Sequence, residues 1–555
     1  MKTILTTLNA KYIHTSLALR LLYVANREHF DISFKEFTIK EKIEKIADDL
    51  LVEQPDVIGI SVYIWNVEQI RKLVCLLKER KPGLVVVLGG PEVTYDAEHF
   101  LQDKAVDFVV KGEGEFVLGE LLSALEKGEE GKIKGVSSIK YPDQTVVKAD
   151  LKQLEQLPSP YMLKEDIGEI GNRLVYFESS RGCPYQCGYC LSSLESGVRY
   201  YSREYIHQNL RFLLDNGARQ IKFLDRTFNM NEEHTRSVFD FLISNHRPGL
   251  SCQFEIYADL LTDEMIDYLN THLPDNYFRF EIGIQSTHEP TNVAVKRRQD
   301  FRLLADNIRK LAAGKKIDMH LDLIAGLPYE NFERFVQSFN DVFRLQVKEV
   351  QLGFLKLLRG TSLRRDADKY GYEYNQQAPY EIESNHVISK QELERIHDAE
   401  HALEKYWNSG RFKKTMEILV NDYYTDRYFE LFDEIGQFYN DQKYPHHAYQ
   451  LEDIYRNLHD FLLSKGINLF EALRTDYYAN FKIRPHGFWE PELEKKRRKQ
   501  LLYQVAQDKS FLEQYGLSRR IIEKQAVIDP DVEGGYLLTI FFPEGPQAYT
   551  WVPES

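Results

Sequence analysis

No stretch of these 555 residues approaches the ~18 consecutive apolar positions that a membrane-spanning helix needs, so no span is expected. The opening Met1-Lys2-Thr3-Ile4-Leu5-Thr6-Thr7-Leu8-Asn9 turns polar too soon for a secretory leader. Basic charge is in deficit: 71 Lys and Arg against 85 Asp and Glu leave a net charge of −14. That deficit argues against a protein that coats nucleic acid, and no nucleic-acid partner is expected, although a locally basic groove is not excluded. Cysteine is scarce, with five in all, which rules out a disulfide framework. Internal repeats and low-complexity segments are missing too.

What is present is ordinary in bulk and unusual in one place. Hydrophobic residues at 43% and charged residues at 28% suit a globular chain. The length exceeds what one core supports, so on the order of two to four domains are expected. Three of the five cysteines fall within eight positions, and free thiols so crowded suit a reducing cytoplasm.

Residues 2–8, 57–62, 84–88 and 106–110 are short β-rich runs, and helical periodicity fills 16–26 and 67–79. This alternation predicts a doubly wound parallel sheet, Rossmann-like in layout. Glycines and small polar residues sit at its strand carboxyl ends, where such sheets bind ligands. A polar stretch at 141–150 and then Leu157-Pro158-Ser159-Pro160 mark a linker. A second series follows, with strands at 175–179, 221–224, 252–257, 278–284, 319–324 and 349–355. Six β/α units predict a partial (β/α)6 barrel with its chemistry at the strand carboxyl ends. Beyond Thr361, polar-aromatic helices such as 390–406 dominate, and strands return at 536–542 and 548–552. The expected class is α/β: an N-terminal doubly wound parallel sheet (1–140), a linker (141–168), a partial barrel (169–365) and a mainly helical C-terminal domain (366–555).

Ser180-Arg181-Gly182-Cys183-Pro184-Tyr185-Gln186-Cys187-Gly188-Tyr189-Cys190 sets three thiols at C-x3-C-x2-C spacing just after a strand. Three thiolates hold three irons of a four-iron cluster and leave the fourth open to a chelating ligand. Gly182, Pro184 and Gly188 permit the sharp backbone path this requires. The bland alternative is structural zinc, but such ions take four protein ligands. Cys75 and Cys252 lie in apolar helix and strand patterns that mark them as core residues.

The segment resembles the signature of the radical S-adenosylmethionine (SAM) superfamily, over roughly residues 174–361. The resemblance implies a [4Fe-4S] cluster on Cys183, Cys187 and Cys190, with SAM chelating the open iron. It implies reductive cleavage of SAM to a 5′-deoxyadenosyl radical that abstracts a substrate hydrogen, fed by an external electron donor of flavodoxin or ferredoxin type. SAM contacts are implied for Tyr189 beside the cofactor, Asp225 after the second strand, and Glu255 and Gln285 at later strand ends. Arg297 or Arg298 would reach the SAM carboxylate, and Ile324 and Gly326 would lie along the adenine. Ordinary strand-end polarity is the competing reading for each.

The first domain resembles the cobalamin (B12)-binding domain that precedes this core in a large subgroup. The match rests on Asn9-Ala10-Lys11-Tyr12-Ile13-His14, Ser61-Val62-Tyr63, Gly89-Gly90-Pro91-Glu92 and Val110-Lys111-Gly112-Glu113-Gly114-Glu115. It implies cobalamin contacts from Asn9, Lys11, His14, Ser61, Tyr63, Gly89, Gly90, Pro91, Glu92, Gly112 and Glu113. A dinucleotide fingerprint is absent, since Gly112 and Gly114 come late and lack a third glycine. The cobalamin signature D-x-H-x-x-G is absent as well. Lys11 stands where its histidine would fall, leaving His14 as a candidate cobalt ligand or a plain surface histidine.

Together the resemblances imply a cobalamin-dependent radical SAM enzyme acting on a small molecule, in the commonest case a C-methyltransferase. Other members of the subgroup cyclise, oxidise or rearrange without methyl transfer. A cobalamin-binding regulator with a structural metal site is the reading from another class, and the complete cysteine motif at the head of six β/α units argues against it. In the tail, Tyr423, Tyr424, Phe438 and Tyr439 fit a helical core better than a substrate cavity. His446-His447 and Arg484-Pro485-His486-Gly487-Phe488-Trp489 are candidate lid features. Lys495-Lys496-Arg497-Arg498-Lys499, balanced by Glu492 and Glu494, reads as a solvated helix face.

Overall fold

The computed structural model describes residues 1–129, 131–195, 197–485, 493–531 and 534–553, so His486 to Trp489 and Glu492 lie outside the described residues. The chain forms two compact units, Met1–Leu393 and Glu394–Ser555.

The first unit opens with a six-stranded sheet of β1 (Lys2–Asn9), β2 (Asp31–Thr38), β3 (Val57–Ser61), β4 (Val85–Gly89), β5 (Phe108–Val110) and β6 (Val136–Ser137). Their order is β2-β1-β3-β4-β5-β6, parallel except for the last pair. β3 is buried at every position because helices cover both faces of a parallel sheet. Ile4, Leu8, Ile58, Ile60 and Leu88 pack on Ile70, Val74 and Leu77 of helix Val67–Arg80. On the other face Leu5, Val57 and Val87 meet Leu118, Leu121 and Leu122 of helix Val117–Lys127.

Cys75, expected in the core, is exposed instead. The buried stripe of its helix is Val67, Ile70, Leu73, Val74 and Leu77, and Cys75 lies about 100° past Val74, off that stripe. Cys252 is fully buried, as expected.

The second sheet comprises β7 (Leu174–Phe177), β10 (Gln220–Phe223), β11 (Ser251–Ile256), β12 (Phe278–Gln285), β13 (Ile317–Ala325) and β14 (Glu349–Phe354). Between its first two strands lies a separate hairpin of β8 (Ser180–Cys183) and β9 (Gly197–Tyr200). The sheet is wholly parallel, in the order β14-β13-β12-β11-β10-β7, and stays open between β14 and β7. Burial alternates residue by residue along β11 and β12. Phe223, Phe254, Phe278 and Phe280 point one way and pack with Phe239 of helix Glu232–Ser244. The opposite, concave face carries Lys222, Gln253, Glu281, Arg279, His320 and Glu349, joined by ion pairs such as Lys222–Glu281 at 2.9 Å and Arg279–Glu349 at 2.7 Å.

Loops of the first sheet reach both edges of the open barrel. At β7, the Leu174 N–H donates to Ile13 O at 2.9 Å and Leu174 O accepts from Thr15 Oγ1 at 3.0 Å. Beyond β14, Arg359 pairs with Glu92 and Asp96, from the segment after β4.

The second unit is mainly helical, with a three-stranded antiparallel sheet of Ala526–Pro530, Tyr536–Phe542 and Gly545–Trp551. Leu501, Val505, Ile522, Leu538, Ile540 and Trp551 form the core around this sheet. Lys495, Lys496, Arg497 and Lys499 are exposed, as a solvated face should be. Tyr424 and Tyr439 are buried, while Tyr423 is 42% exposed and Phe438 is half-buried. No helix among the described residues is long and apolar enough to cross a membrane.

Candidate functional site

The cysteine loop begins inside β8, which pairs antiparallel with β9, Cys183 opposite Gly197. Gly182 has φ +95°, and a Cβ there would collide with the Gly197 carbonyl oxygen, so only glycine fits. Further on, the Gly188 N–H donates to Val295 O at 2.8 Å and Gly188 O accepts from the Leu363 N–H at 2.9 Å. The loop is therefore held from both sides. Cys183 and Cys187 are buried and Cys190 half-buried. Cys183 Sγ lies 3.8 Å from Thr227 Oγ1, and Cys187 Sγ lies 4.0 Å from the Tyr257 hydroxyl.

Burial pushes the Cys183 thiol up, and the neighbouring Cys190 and Cys187 add to the push. Sulfurs that crowd one another like this gain from a bound cation. Among the described residues no three His, Cys, Asp or Glu side chains converge tightly enough for a single metal ion. Three cysteine thiols on one short loop are the donor type that an iron–sulfur cluster takes.

Arg181 and Asp225 fix the approach to this loop. Arg181, 9% exposed at its side chain, donates to Glu178 at 2.9 Å, Glu113 at 2.9 Å and Glu115 at 2.7 Å. Glu113 also accepts from Arg199 and from the Ala149 N–H. Asp225 accepts from the Ser179 N–H at 3.0 Å, Ser179 Oγ at 2.6 Å and Ser180 Oγ at 2.5 Å. Its carboxylate is thus used to pin the strand ahead of the cysteines.

Arg297, a proposed contact to the SAM carboxylate, donates to the hydroxyls of Tyr257 at 2.9 Å and Tyr189 at 3.2 Å, to Gln299 at 2.8 Å and to Gly283 O. It braces the aromatic wall of the cysteine loop, where Tyr185 stacks on Tyr257 at 4.3 Å. Arg298 is exposed. Glu255 lies on the concave face of β11, held above the usual carboxylate range by burial, with Arg226 opposing. Gln285 ends β12 at φ +69°, rare for a residue with a side chain, and its Oε1 is buried without a partner. An orphaned acceptor at a strained strand end, near Gly283, suits a polar ligand such as SAM. Ile324 is half-buried on β13, and Gly326 O is taken by Tyr372 and Asn385.

At the first sheet, Gly89 ends β4 and Gly90 follows it. Gly90 has φ +102°, and a Cβ there would stand 2.7 Å from Val62 O. Beside it runs an apolar slit lined by Val62, Val67, Ile70, Val74, Leu88 and Phe100. Gly112 likewise has φ +95° and no room for a Cβ, against Val147 O. The glycines of this rim leave backbone open to the close approach of a ligand. Tyr63 stacks on Trp65 at 4.4 Å, and Ser61 O accepts from Thr7 Oγ1 at 2.9 Å. Asn9 donates to His14 O and to Glu36. Lys11 is exposed. His14 Nδ1 meets the Tyr176 hydroxyl at 2.8 Å, which engages one ring nitrogen of the candidate cobalt ligand. Glu92, which follows Pro91, is buried against Tyr380 and Arg359, and burial raises its carboxyl.

Residues 4–122 match the family described as B12 binding domain, and residues 177–342 match the Radical SAM superfamily. The chain joins a B12 binding domain to a radical SAM domain. Residues 368–530 match a family described as a protein of unknown function, DUF4080. The chain is 28% identical over 313 residues to the cobalamin-dependent radical SAM methyltransferase TokK of Streptomyces tokunonensis, covering 53% of this chain and 45% of TokK. It is 28% identical over 306 residues to 2-(S-pantetheinyl)-carbapenam-3-carboxylate methyltransferase of Streptantibioticus cattleyicolor, covering 51% of this chain and 44% of that protein. The chain thus spans less than half the length of either relative. An anaerobic magnesium-protoporphyrin IX monomethyl ester cyclase of Synechocystis is 27% identical over 277 residues, 43% of this chain and 51% of the cyclase. Among solved structures, the cobalamin-dependent SAM radical enzyme OxsB with aqua-cobalamin bound superposes with a TM-score of 0.60 at 16% identity, over 87% of this chain and 81% of OxsB. That likeness is one of fold, and it bears out the two-sheet α/β layout read from the sequence.

The B12 and radical SAM domains meet through residues given no role from the sequence alone, Arg181, Glu115, Arg199 and Arg359, and Tyr257 beside Cys187 was missed as well. The signal for the first pair was present, as glutamates after β5 and an arginine two positions ahead of Cys183, but only tertiary structure pairs them.

Proposed function

We propose that the protein is a cobalamin-dependent radical SAM enzyme that methylates carbon on a small molecule, working in the reducing cytoplasm with a flavodoxin- or ferredoxin-type electron donor. Residues 1–140 serve as the cobalamin-binding domain and 169–365 as the radical SAM core. The observation that carries the reading is the cysteine loop itself: three crowded thiols, on a backbone only glycine allows at 182, tied by Arg181 to the glycine-bordered rim of the first sheet.

Bound in these places, a reduced four-iron cluster supplies the electron that splits SAM into methionine and a 5′-deoxyadenosyl radical, and cobalamin supplies the methyl group. Cys183, Cys187 and Cys190 hold the irons. Asp225 and Arg181 fix the strand that presents them, and Arg297 sets Tyr189 and Tyr257 against the loop. Gln285 and Glu255 take the polar end of SAM, while Ile324 and Gly326 border its adenine. Gly89, Gly90 and Gly112 admit the corrinoid tail, with Asn9, Ser61 and Tyr63 along the rim. Glu92 and Glu113 keep that rim in place through their arginine partners.

Anaerobic protein from cells supplied with cobalamin tests the reading. It should carry close to four irons per chain and a corrinoid absorbance, and should cleave SAM on reduction. Without iron or SAM cleavage the enzyme reading falls. Methyl-labelled SAM then separates the outcomes: label in the product supports methylation. Its absence favours the ring-closing chemistry named for the Synechocystis relative.

A further inference from the structure

The outer side of the cysteine loop is a surface that no step above uses. Pro184 and Gln186 are exposed, and each is one residue from a buried cysteine, so Cys183 and Cys187 lie just beneath solvent here. The other side of the loop is already engaged, tied through Arg181 to Glu113 and Glu115 of the B12 domain.

Two hydrogen bonds bring further segments to this outer side. The Gly188 N–H donates to Val295 O at 2.8 Å, and the Asp300 N–H donates to Asp259 Oδ2 at 3.2 Å. Helix Glu289–Ala294, the turn at 295–300 and the start of helix Phe301–Gly314 therefore border the loop together with residues 258–260. Within the turn Arg297 points inward, to the hydroxyls of Tyr189 and Tyr257, while Lys296 and Arg298 on either side of it are exposed. Arg302 is exposed as well. None of the side chains of Lys296, Arg298 and Arg302 makes an ion pair or hydrogen bond among the described residues. The acids of the same stretch are engaged elsewhere or stand at its margin. Asp300 caps its helix by accepting from the N–H groups of Arg302 and Leu303, Asp259 accepts from Asp300, and Glu289 lies in the first turn of its own helix.

Apolar groups stand among these cations: Val293 is 65% exposed, Leu303 44% and Leu260 38%. The Lys296 N–H donates to Val293 O at 3.1 Å, so charge and hydrocarbon alternate over a short distance. Apolar side chains within a charged rim are the make-up of a protein contact. The chain as a whole carries −14, and unpaired cations on such a background select an acidic partner and disfavour a second copy of this basic patch.

We propose that the face formed by Val293, Lys296, Arg298 and Arg302 is the docking site of an acidic one-electron carrier protein of flavodoxin type. The inference rests on the radical SAM reading and adds to it where the partner binds and by what chemistry. The cations meet the carrier's carboxylates, and the apolar groups meet the hydrocarbon edge of its flavin, beside residues 184–187. One electron leaves the reduced flavin and enters the cluster held by the cysteines; no bond forms or breaks at the interface. A small, largely electrostatic contact suits a carrier that must leave after each transfer.

The test uses the full-length, cluster-loaded protein and a bacterial flavodoxin as probe. Binding is titrated with both proteins oxidised, and reduction is followed as loss of the cluster's visible absorbance on mixing with reduced flavodoxin. Wild-type binding should weaken as salt is raised. Lys296→Glu/Arg302→Glu should bind flavodoxin ~10-fold more weakly and be reduced ~10-fold more slowly at limiting flavodoxin, because reversed rim charges act chiefly on association. Arg219→Glu/Lys315→Glu makes the same change in net charge at exposed positions ahead of β10 and β13, the far end of the sheet from the cysteine loop, and should match wild type. Dithionite, which needs no docking, should reduce all three proteins equally fast. Equal flavodoxin binding in wild type and Lys296→Glu/Arg302→Glu overturns the proposal. So does an equal loss in Arg219→Glu/Lys315→Glu, or wild-type binding that is absent or indifferent to salt. If Lys296→Glu/Arg302→Glu does not hold its cluster, Val293→Asp takes its place, with the same ~10-fold loss expected. Failure of the radical SAM reading shows itself separately, as wild-type protein that lacks iron or leaves SAM intact under dithionite.

Discussion

Arg181 donates to Glu115 at 2.7 Å, joining the approach to the cysteine loop to a residue 66 positions earlier in the B12 domain. Both side chains are more than nine-tenths buried, and Glu113 takes another arm of the same guanidinium. Removing one partner of a buried pair costs on the order of 3–5 kcal/mol, because the other charge is left unpaired. Arg181→Gln should therefore hold less than half the wild-type iron after anaerobic reconstitution, with Arg181→Lys in between. Iron and sulfide content measure this, and full occupancy in Arg181→Gln would show that the pairing does not position the loop.

The hairpin that starts the loop gives a sharper contrast. Gly182→Ala puts a methyl group into the Gly197 carbonyl at φ +95°, whereas Gly197→Ala meets open space at φ +77°. The second variant carries only backbone strain, about 1–3 kcal/mol. We expect Gly182→Ala to lose the brown cluster absorbance and Gly197→Ala to keep it. Equal loss in both would assign the effect to strain rather than to the collision.

Gln285 separates stability from binding. Its buried Oε1 lacks a partner, so replacing the amide relieves an unsatisfied group worth about 1–3 kcal/mol. Gln285→Leu should melt no lower than wild type and yet bind SAM roughly 10-fold more weakly, the loss expected of one good polar contact. Equilibrium titration with SAM against a thermal melt reads both. Unchanged SAM affinity would remove Gln285 from the site.

His234 sets a pH window. Burial, helped by Arg203, holds its imidazole down at about 4, and its Nε2 meets Ser179 Oγ at 2.8 Å. A histidine depressed on folding contributes stability above its unfolded value of about 6.5, and that stability is lost as pH falls through the folded one. The melting temperature should thus decline between about pH 6.5 and 4. His234→Gln should flatten the decline, and an unchanged slope would place the acid sensitivity elsewhere.

Much of the first unit was legible because parallel strands buried on both faces write themselves as apolar runs. β3 and β4 are examples. β2 escaped notice, since an edge strand reading Asp-Ile-Ser-Phe-Lys-Glu-Phe-Thr carries too little apolar signal. β8 and β9 escaped because they pair only with each other around Gly182. The cysteines were plain from spacing alone. Asp225 was found but its partners Ser179 and Ser180 were not, because position at a strand end does not say which donors fold back to meet it. Arg181 with Glu113 and Glu115, and Arg359 with Glu92, depend on loops that the chain brings together only after two sheets have formed.

The alternation along β11 and β12 has a consequence for how the protein can change. One row of side chains, Phe254, Phe278 and Phe280 among them, secures the sheet to its helices, while the row between them faces the concavity and contributes little to that attachment. A change at Gln253, Glu281 or His320 therefore alters what the concavity accepts and leaves the phenylalanine row untouched, but it also removes a partner of Lys222 or Glu349 and calls for a compensating change on the same face. Drift in ligand preference and retention of fold are inherited on separate sets of codons.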